Sequence, residues 1–371
     1  MAAHHGTFAF LIHPLRMDDF ARKYPITRHL PAPLVEQLFR RVPPRLVSHI
    51  TGIRSPAGAT AEGWFIGLPL TPKILLHAPL PFVYHRLIQG GRLAERLGAR
   101  IFGLGAFTKI VGDRGVTVAN ALRIAVTTGN SYTAATAVEG ALAAAERMRI
   151  DRPNAAAAVI GATGAIGAVV SEILARDVGQ LFVVARTREH LEALAARLAP
   201  AARAQVLPET DVRRAVRAAD IVLTVSSATD TLIEPEDLRP GAVVCDVARP
   251  RNVSRLVYER RDDVLVIDGG VIEVPGEVDF GFDFGFPPRM CEACMAETIL
   301  LALEGRYENF TLGREVSLAR VEEIAALARR HGFRLAGFRR FERAIGDDEV
   351  ERIRAAAARR RAAAVPRPAL P

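Results

Sequence analysis

Ala156-Ala157-Ala158-Val159-Ile160-Gly161-Ala162-Thr163-Gly164-Ala165-Ile166-Gly167 decides the fold. A short apolar run leads into three glycines spaced three apart, and residues 165–176 continue with apolar side chains at helical spacing. A buried strand, a tight turn and a helix start, in that order, form the pattern of a dinucleotide-binding turn. The first glycine permits the turn, the second lets the backbone approach a pyrophosphate, and the third allows the helix to pack closely. Free N–H groups and partial positive charge at the helix start then favour the anion. Residues 155–170 are apolar for long enough to resemble a membrane span. The three glycines, and Ser171-Glu172 directly after, make them a strand, turn and helix start instead.

Outward from that turn the alternation is regular. A strand is expected over 181–185 and a helix over 188–198, followed by apolar runs at 205–207, 221–225, 242–247 and 264–267. Such a βαβ series predicts a doubly wound, Rossmann-like parallel sheet in an α/β protein. The second strand ends in Ala185-Arg186-Thr187-Arg188, where an enzyme using NAD ordinarily carries an acid for the ribose hydroxyls. Two arginines and a hydroxyl suit a 2′-phosphate, so NADPH is the expected cofactor. Its expected contacts are Gly161, Thr163, Gly164, Ala165, Ile166, Gly167, Arg186, Thr187 and Arg188, with Asp246 and Gly269 at later strand ends. Asp246 and Asp268 serve equally well as turn or cap residues.

The first part of the chain is punctuated by proline. Strands are expected over 8–12 and 64–68, helices over 34–41 and 85–97, a glycine-rich loop over 103–108, and a strand over 124–130 running into a turn. An alanine-rich helix over 132–148 makes a connector. The expected organisation is an N-terminal α/β substrate domain (1–131), the connecting helix (132–150), the NADP-binding domain (151–286), C-terminal helices with a catalytic cysteine (287–346) and a basic helical or disordered tail (347–371). Of the formal net charge of +8, most sits in residues 351–371, where six arginines face one acid. The rest of the chain is close to balance, which argues against a nucleic-acid partner. The tail by itself suits RNA, an anionic membrane surface or an acidic carrier protein, or is simply a solvated end. Three scattered cysteines make no disulfide framework, and no secretory signal is visible, so a cytoplasmic setting is expected.

Two of those cysteines lie in Met290-Cys291-Glu292-Ala293-Cys294-Met295-Ala296-Glu297, just after Pro287-Pro288, where a helix is expected to begin. A thiol near a helix N-terminus has its thiolate favoured by the dipole. Zinc lacks a second Cys or His pair to complete four ligands. A redox pair, or two plain core residues, would show the same spacing. Cys245 sits in an apolar strand run and reads as a small buried hydrophobe. Glu297, one turn beyond Cys294, is a candidate for proton transfer or the start of a charged helix face. Phe280, Phe282, Phe284 and Phe286 alternate along an expected extended segment, lining an alkyl tunnel or packing against a domain interface. His29, His49 and His85 are acid–base candidates that no spacing ranks.

Taken together, the motifs resemble the long-chain acyl-[acyl-carrier-protein] reductases, the fatty-aldehyde-forming enzymes. The likeness runs in order through Gly103-Leu104-Gly105-Ala106-Phe107-Thr108, Thr127-Thr128-Gly129-Asn130-Ser131-Tyr132-Thr133-Ala134 and the glycine turn. It continues through Gly269-Gly270-Val271, Ala293-Cys294-Met295-Ala296-Glu297, Glu304-Gly305, Asn309-Phe310 and His331-Gly332-Phe333. The resemblance implies NADPH-dependent reduction of a fatty acyl thioester, carried by acyl carrier protein or CoA, with Cys294 taking the acyl group and Cys291 a spare. Phe107, Thr108, Thr128, Gly129, Asn130 and Thr133 are then expected to wall the substrate cleft. Residues 246–251 also resemble glutamyl-tRNA reductases, whose nucleophile lies in the N-terminal domain; here no cysteine precedes residue 245. The same layout suits a shikimate-dehydrogenase-like oxidoreductase, in which Cys294 has no role, or a non-catalytic NADP-binding redox sensor.

Overall fold

A computed structural model describes residues 4–226, 228, 230–248, 251–340 and 343–364. The chain forms two compact units, Met1–Tyr132 with Ile272–Arg334, and Thr133–Val271 with Leu335–Pro371.

The first unit is built on six strands. They are β1 (His5–Ile12), β2 (Arg45–Arg54), β3 (Thr60–Gly67), β4 (Ile101–Leu104), β5 (Ala125–Thr127) and a late strand, Gly276–Asp279. The order across the sheet is late strand, β2, β3, β1, β4, β5. β1 is parallel to β3 and β4, and β4 to β5, whereas β2 is antiparallel to β3 and to the late strand. Alternation divides the side chains between two faces. Ala9, Leu11, Phe102, Leu104 and Val126 join Val83 and Leu87 of the Leu80–Arg96 helix in one core. On the other parity, Gly6 and Gly103 leave room for the helix Ala293–Leu303. A Cβ at Gly6 would lie 2.1 Å from the Ala302 carbonyl oxygen, and one at Gly103 2.2 Å from Thr298 Oγ1. All eleven residues of that helix are buried.

The second unit holds β6 (Ala156–Ile160), β7 (Gln180–Val184), β8 (Gln205–Glu209), β9 (Ile221–Thr224), β10 (Val243–Asp246) and β11 (Leu265–Asp268). Their order is β11-β10-β9-β6-β7-β8, and every pairing is parallel. This is the doubly wound sheet expected from the βαβ series, with the glycine turn at the carboxyl end of β6, where the strand order reverses.

Several boundaries differ from the sequence reading. The helix does not begin after Pro288: Met290–Glu292 is extended, and the helix starts at Ala293. Cys291 and Cys294 therefore do not share a helix face. The segment 280–286 is not a strand; Phe280 and Phe284 meet edge to face and both rings lie against Phe65, Phe286 lies against Phe284, and Lys23 lies over Phe282. Residues 272–286 and the cysteine helix group with the N-terminal unit, because the helix fills the glycine-lined face of its sheet. The basic end forms a helix, Asp347–Ala364, docked on the second unit through Val350, Ile353, Ala356 and Ala357. Arg360 pairs with Asp262 at 2.8 Å, and Arg361 Nε donates to the Pro240 carbonyl at 3.0 Å. Residues 365–371 of the expected tail, like Arg249 and Pro250 of the 246–251 motif, lie outside the described residues.

Candidate active site

Cys294 is the second residue of its helix and is 4% exposed. Two loops from the carboxyl ends of β4 and β5 close over it. Gly129 sits in the left-handed region at φ +71°, and a Cβ there would fall 2.2 Å from Cys294 Cα. From the other loop, a Cβ at Gly105 would approach the sulfur to 3.7 Å. The Cys294 thiol donates to Glu292 Oε2 at 3.8 Å. Burial pushes this thiol up to about 12; the Lys109 ammonium pulls it down, while the Glu292 and Glu297 carboxylates raise it further. Cys294 lies in the first turn of a helix that begins at Ala293, yet desolvation outweighs the dipole, so the resting group is a thiol. The Ala296 amide is directed to the Cys291 sulfur, which is fully buried and held well above the ordinary thiol range. Cys291 directly precedes the N-cap Glu292, where the extended segment enters the helix.

Glu297 is fully buried and surrounded by donors. Its Oε1 accepts from Thr127 Oγ1 at 2.5 Å and Thr311 Oγ1 at 3.0 Å, and its Oε2 accepts from the Tyr132 amide at 2.8 Å. Burial raises its carboxyl above the ordinary range, opposed by these same bonds. The carboxylate is thus a tie between the cysteine helix and the 127–132 turn. Several other motif residues fasten the segments around that helix. Asn309 Oδ1 accepts the Val126 amide at 2.8 Å, and Thr128 Oγ1 donates to the Thr311 carbonyl at 2.8 Å. Glu304, at the helix end, takes His331 Nε2 at 2.8 Å, and His331 Nδ1 meets Ser55 Oγ at 2.9 Å.

The remaining expected cleft residues are buried. Thr108 closes its own loop, with Oγ1 donating to the Gly105 carbonyl at 2.7 Å, and Phe107 receives support from His13, whose Nε2 accepts the Phe107 amide at 3.1 Å. Burial lowers His13 to about 4, against a bond to the Pro14 carbonyl and the nearby Asp19 charge. Asn130 is buried with an Oδ1 that finds no hydrogen-bond partner among the described residues. Thr133 falls in the second unit. His29, His49 and His85 are exposed, and His49 is engaged by Glu62 at 2.8 Å. Lys109, Glu292 and Thr311 were missed from sequence: a lysine in a short turn, an acid at the end of a three-residue extended piece and a lone threonine have no period that would single them out.

In the second unit, Gly161 is at φ +88°, and a Cβ there would meet Ser226 Cα at 2.9 Å. A Cβ at Gly167 would strike the Gly161 carbonyl oxygen at 2.1 Å, so strand and helix are in direct contact. Gly164 is the N-cap of the helix Ala165–Leu174, and no side chain caps it. The turn accordingly fits a pyrophosphate: its approach is glycine, and the first-turn amides of Ala165, Ile166 and Gly167 have no capping oxygen. Arg186, Thr187 and Arg188 follow β7 and are exposed; Arg188 pairs with Glu192 at 3.2 Å, whereas Arg186 has no carboxylate partner among the described residues. Two expected contacts are otherwise engaged. Asp246 is almost fully buried, its oxygens accepting the Ala248 and Val253 amides at 3.1 Å each, so it holds the loop after β10. Gly269 admits the Cys245 sulfur, 2.9 Å from where a Cβ would stand. Asp268 forms a two-pronged pair with Arg251, both contacts at 3.0 Å. No group of three or more His, Cys, Asp and Glu side chains among the described residues is arranged to hold a metal ion.

A doubly wound sheet with a glycine turn at its switch point defines the class, a nicotinamide-dependent oxidoreductase. Residues 143–268 match the shikimate/quinate 5-dehydrogenase family. The chain is 31% identical over 337 residues to the aminotransferase PigE of Serratia sp. (strain ATCC 39006), covering 88% of this chain and 39% of that protein. It thus spans well under half the length of that relative. With the long-chain acyl-[acyl-carrier-protein] reductase of Synechococcus elongatus it shares 30% identity over 313 residues, covering 80% of this chain and 89% of that protein. A stretch of 173 residues is 25% identical to the glutamyl-tRNA reductase of Synechocystis sp., covering 45% and 40%. The chain belongs to the long-chain acyl-[acyl-carrier-protein] reductase family, as a distant member.

Proposed function

We propose that this protein reduces a fatty acyl thioester, carried by acyl carrier protein or CoA, to the aldehyde with NADPH, through an acyl group held on Cys294. The observation that carries the proposal is the setting of one thiol, enclosed by two glycine loops and flanked by Glu292 and Lys109, in a chain that also carries a Rossmann turn. Likeness to the acyl-[acyl-carrier-protein] reductase over most of both chains supports it.

Holding the free thiolate at neutral pH would cost roughly 7 kcal/mol for a thiol pushed up to about 12. Attack is therefore coupled to proton transfer. The Cys294 sulfur bonds to the thioester carbonyl carbon as its proton passes to Glu292, 3.8 Å away. The carbon–sulfur bond to the carrier then breaks, and the carrier thiolate takes that proton. Lys109 supports negative charge on the sulfur as the bond forms. Exchange between two thioesters is nearly balanced in energy, which suits cysteine. NADPH, when bound, supplies the hydride for reduction; Gly161, Gly164 and Gly167 make room for its pyrophosphate, and Arg186, with Arg188, meets its 2′-phosphate. Because the thiol is enclosed, the 105–109 and 128–131 loops part to admit the acyl chain. Glu297, saturated with donors, positions the second of these loops.

Intact-protein mass spectrometry tests this directly. Wild type incubated with palmitoyl-CoA or palmitoyl-[acyl carrier protein], without NADPH, should gain one palmitoyl mass that Cys294→Ala does not, and release it as aldehyde once NADPH is added. Robust turnover by Cys294→Ala, or an adduct that persists in it, would rule out the covalent route.

A further inference from the structure

The segment between β1 and β2 carries a surface that the catalytic reading does not use. It folds as the helix Met17–Lys23, a tight turn Pro25–His29 and the helix Ala32–Arg41. Its inner face forms a satellite core of only three buried side chains, Phe20, Val35 and Phe39, with the Phe20 and Phe39 rings 4.6 Å apart. On the outer side, large apolar residues stand exposed among basic ones, with Leu34 and Leu38 one helical turn apart. Ile26 is 67% exposed, Leu34 51% and Leu38 53%, with Leu30 and Leu46 alongside in sequence. Of the twelve large apolar side chains exposed among the described residues, nine fall between residues 15 and 80. Such clustering is unusual, since scattered single exposures are the norm.

The charge around this face is positive. Residues 15–46 hold seven lysines and arginines against three acids. Two of the acids are engaged: Asp19 accepts the Leu15 and Arg16 amides, and Glu36 accepts Thr71. Arg28, Arg40, Arg41 and Arg45 are exposed and form no ion pair with any described residue.

We propose that residues 15–46 form an interfacial membrane-binding cap, whose aliphatic outer face enters the headgroup region of an anionic bilayer while the unpaired guanidinium groups meet lipid phosphates. The chemistry favours lipid over a protein partner. The exposed set is almost wholly leucine and isoleucine, whereas protein interfaces draw their energy from aromatic and arginine anchors seated in pockets. An amphipathic helix with leucine outside and arginine at its margins is the interfacial pattern. The cap follows the carboxyl end of β1, the sheet edge from which the 105–109 and 128–131 loops also emerge. This surface stands apart from the thioester reading and is read without turnover.

The test is co-sedimentation of the full chain with vesicles of phosphatidylcholine plus phosphatidylglycerol, and of phosphatidylcholine alone. Wild type should partition onto the anionic vesicles, more weakly as salt rises. The Leu34→Ser/Leu38→Ser variant, altered only at exposed positions, should melt as wild type does and lose roughly 30-fold or more in partitioning. Absence of wild-type binding to anionic vesicles, or equal binding by the variant, overturns the proposal. Two patterns would reassign the surface: loss in the variant of binding to a purified acyl carrier protein while vesicles are ignored, or loss of lipid-free self-association. Either outcome counts against the lipid cap.

Discussion

Gly129→Ala isolates the contact on which the candidate site depends. Two separate costs arise. Alanine at φ +71° is disfavoured by about 1 kcal/mol through its own backbone. The new Cβ would also stand 2.2 Å from Cys294 Cα, 2.4 Å from its Cβ and 2.5 Å from its carbonyl oxygen. Ordinary contacts lie beyond about 3.5 Å, so the turn or the helix must move by roughly 1 Å. Backbone atoms cannot rotate aside as a side-chain tip can, and overpacking of this kind costs about 1–3 kcal/mol. The sum, about 2–4 kcal/mol, corresponds to a melting point lower by roughly 5–15 °C. Gly58→Ala is the matched control: its φ is +91°, but nothing lies within 4 Å of a Cβ there, so only the backbone cost applies. Thermal melts of the two variants, with peptide-resolved alkylation of Cys294, give the readout. Gly129→Ala should melt well below Gly58→Ala and alkylate at least about tenfold faster, since each 1.4 kcal/mol of lost closure is a factor of ten. Equal melting points with unchanged thiol protection would refute the reasoning.

Three further outcomes follow from the geometry. Glu297→Gln places an amide nitrogen against the donors of Thr127, Thr311 or Tyr132, and should destabilise by about 1–3 kcal/mol in urea melts; full stability would show that the tie is idle. His13, lowered to about 4, holds fewer protons folded than unfolded, so its contribution is complete above pH 6.5 and lost as pH falls from 6.5 to about 4. That amounts to at most about 3 kcal/mol, less for its partial exposure, and a His13→Gln variant should show a shallower loss of stability across this window than wild type; parallel curves would contradict it. If, as proposed, Arg186 meets the 2′-phosphate, Arg186→Ala should weaken NADPH binding by roughly tenfold or more in fluorescence titration and leave NADH almost unaffected. Equal losses for both cofactors would remove Arg186 from the site.

Much of the second unit was legible in the sequence. Its central strands β6, β9 and β10 are short apolar runs buried on both faces, and its glycine turn is a local arrangement with no long-range partner needed to recognise it. The helix at 188–198 also declared itself, through periodic apolar residues, whereas the 347–371 end, read as helical or disordered, took its helix Asp347–Ala364 from the structure. The identity of Cys294 as the residue of interest came from ordered motifs. What those motifs do was invisible there. Only the folded chain places Gly6 and Gly103 under the cysteine helix and Gly129 against Cys294 itself, because a missing Cβ acquires meaning from whatever occupies its space. Likewise Glu297 becomes a structural tie and Asp246 a loop anchor, each through partners that no local pattern reveals. The direction of the Cys294 shift was also decided by tertiary structure. A helix start is local and favours the thiolate, but desolvation depends on everything packed around the sulfur, and that larger effect raises the thiol to about 12.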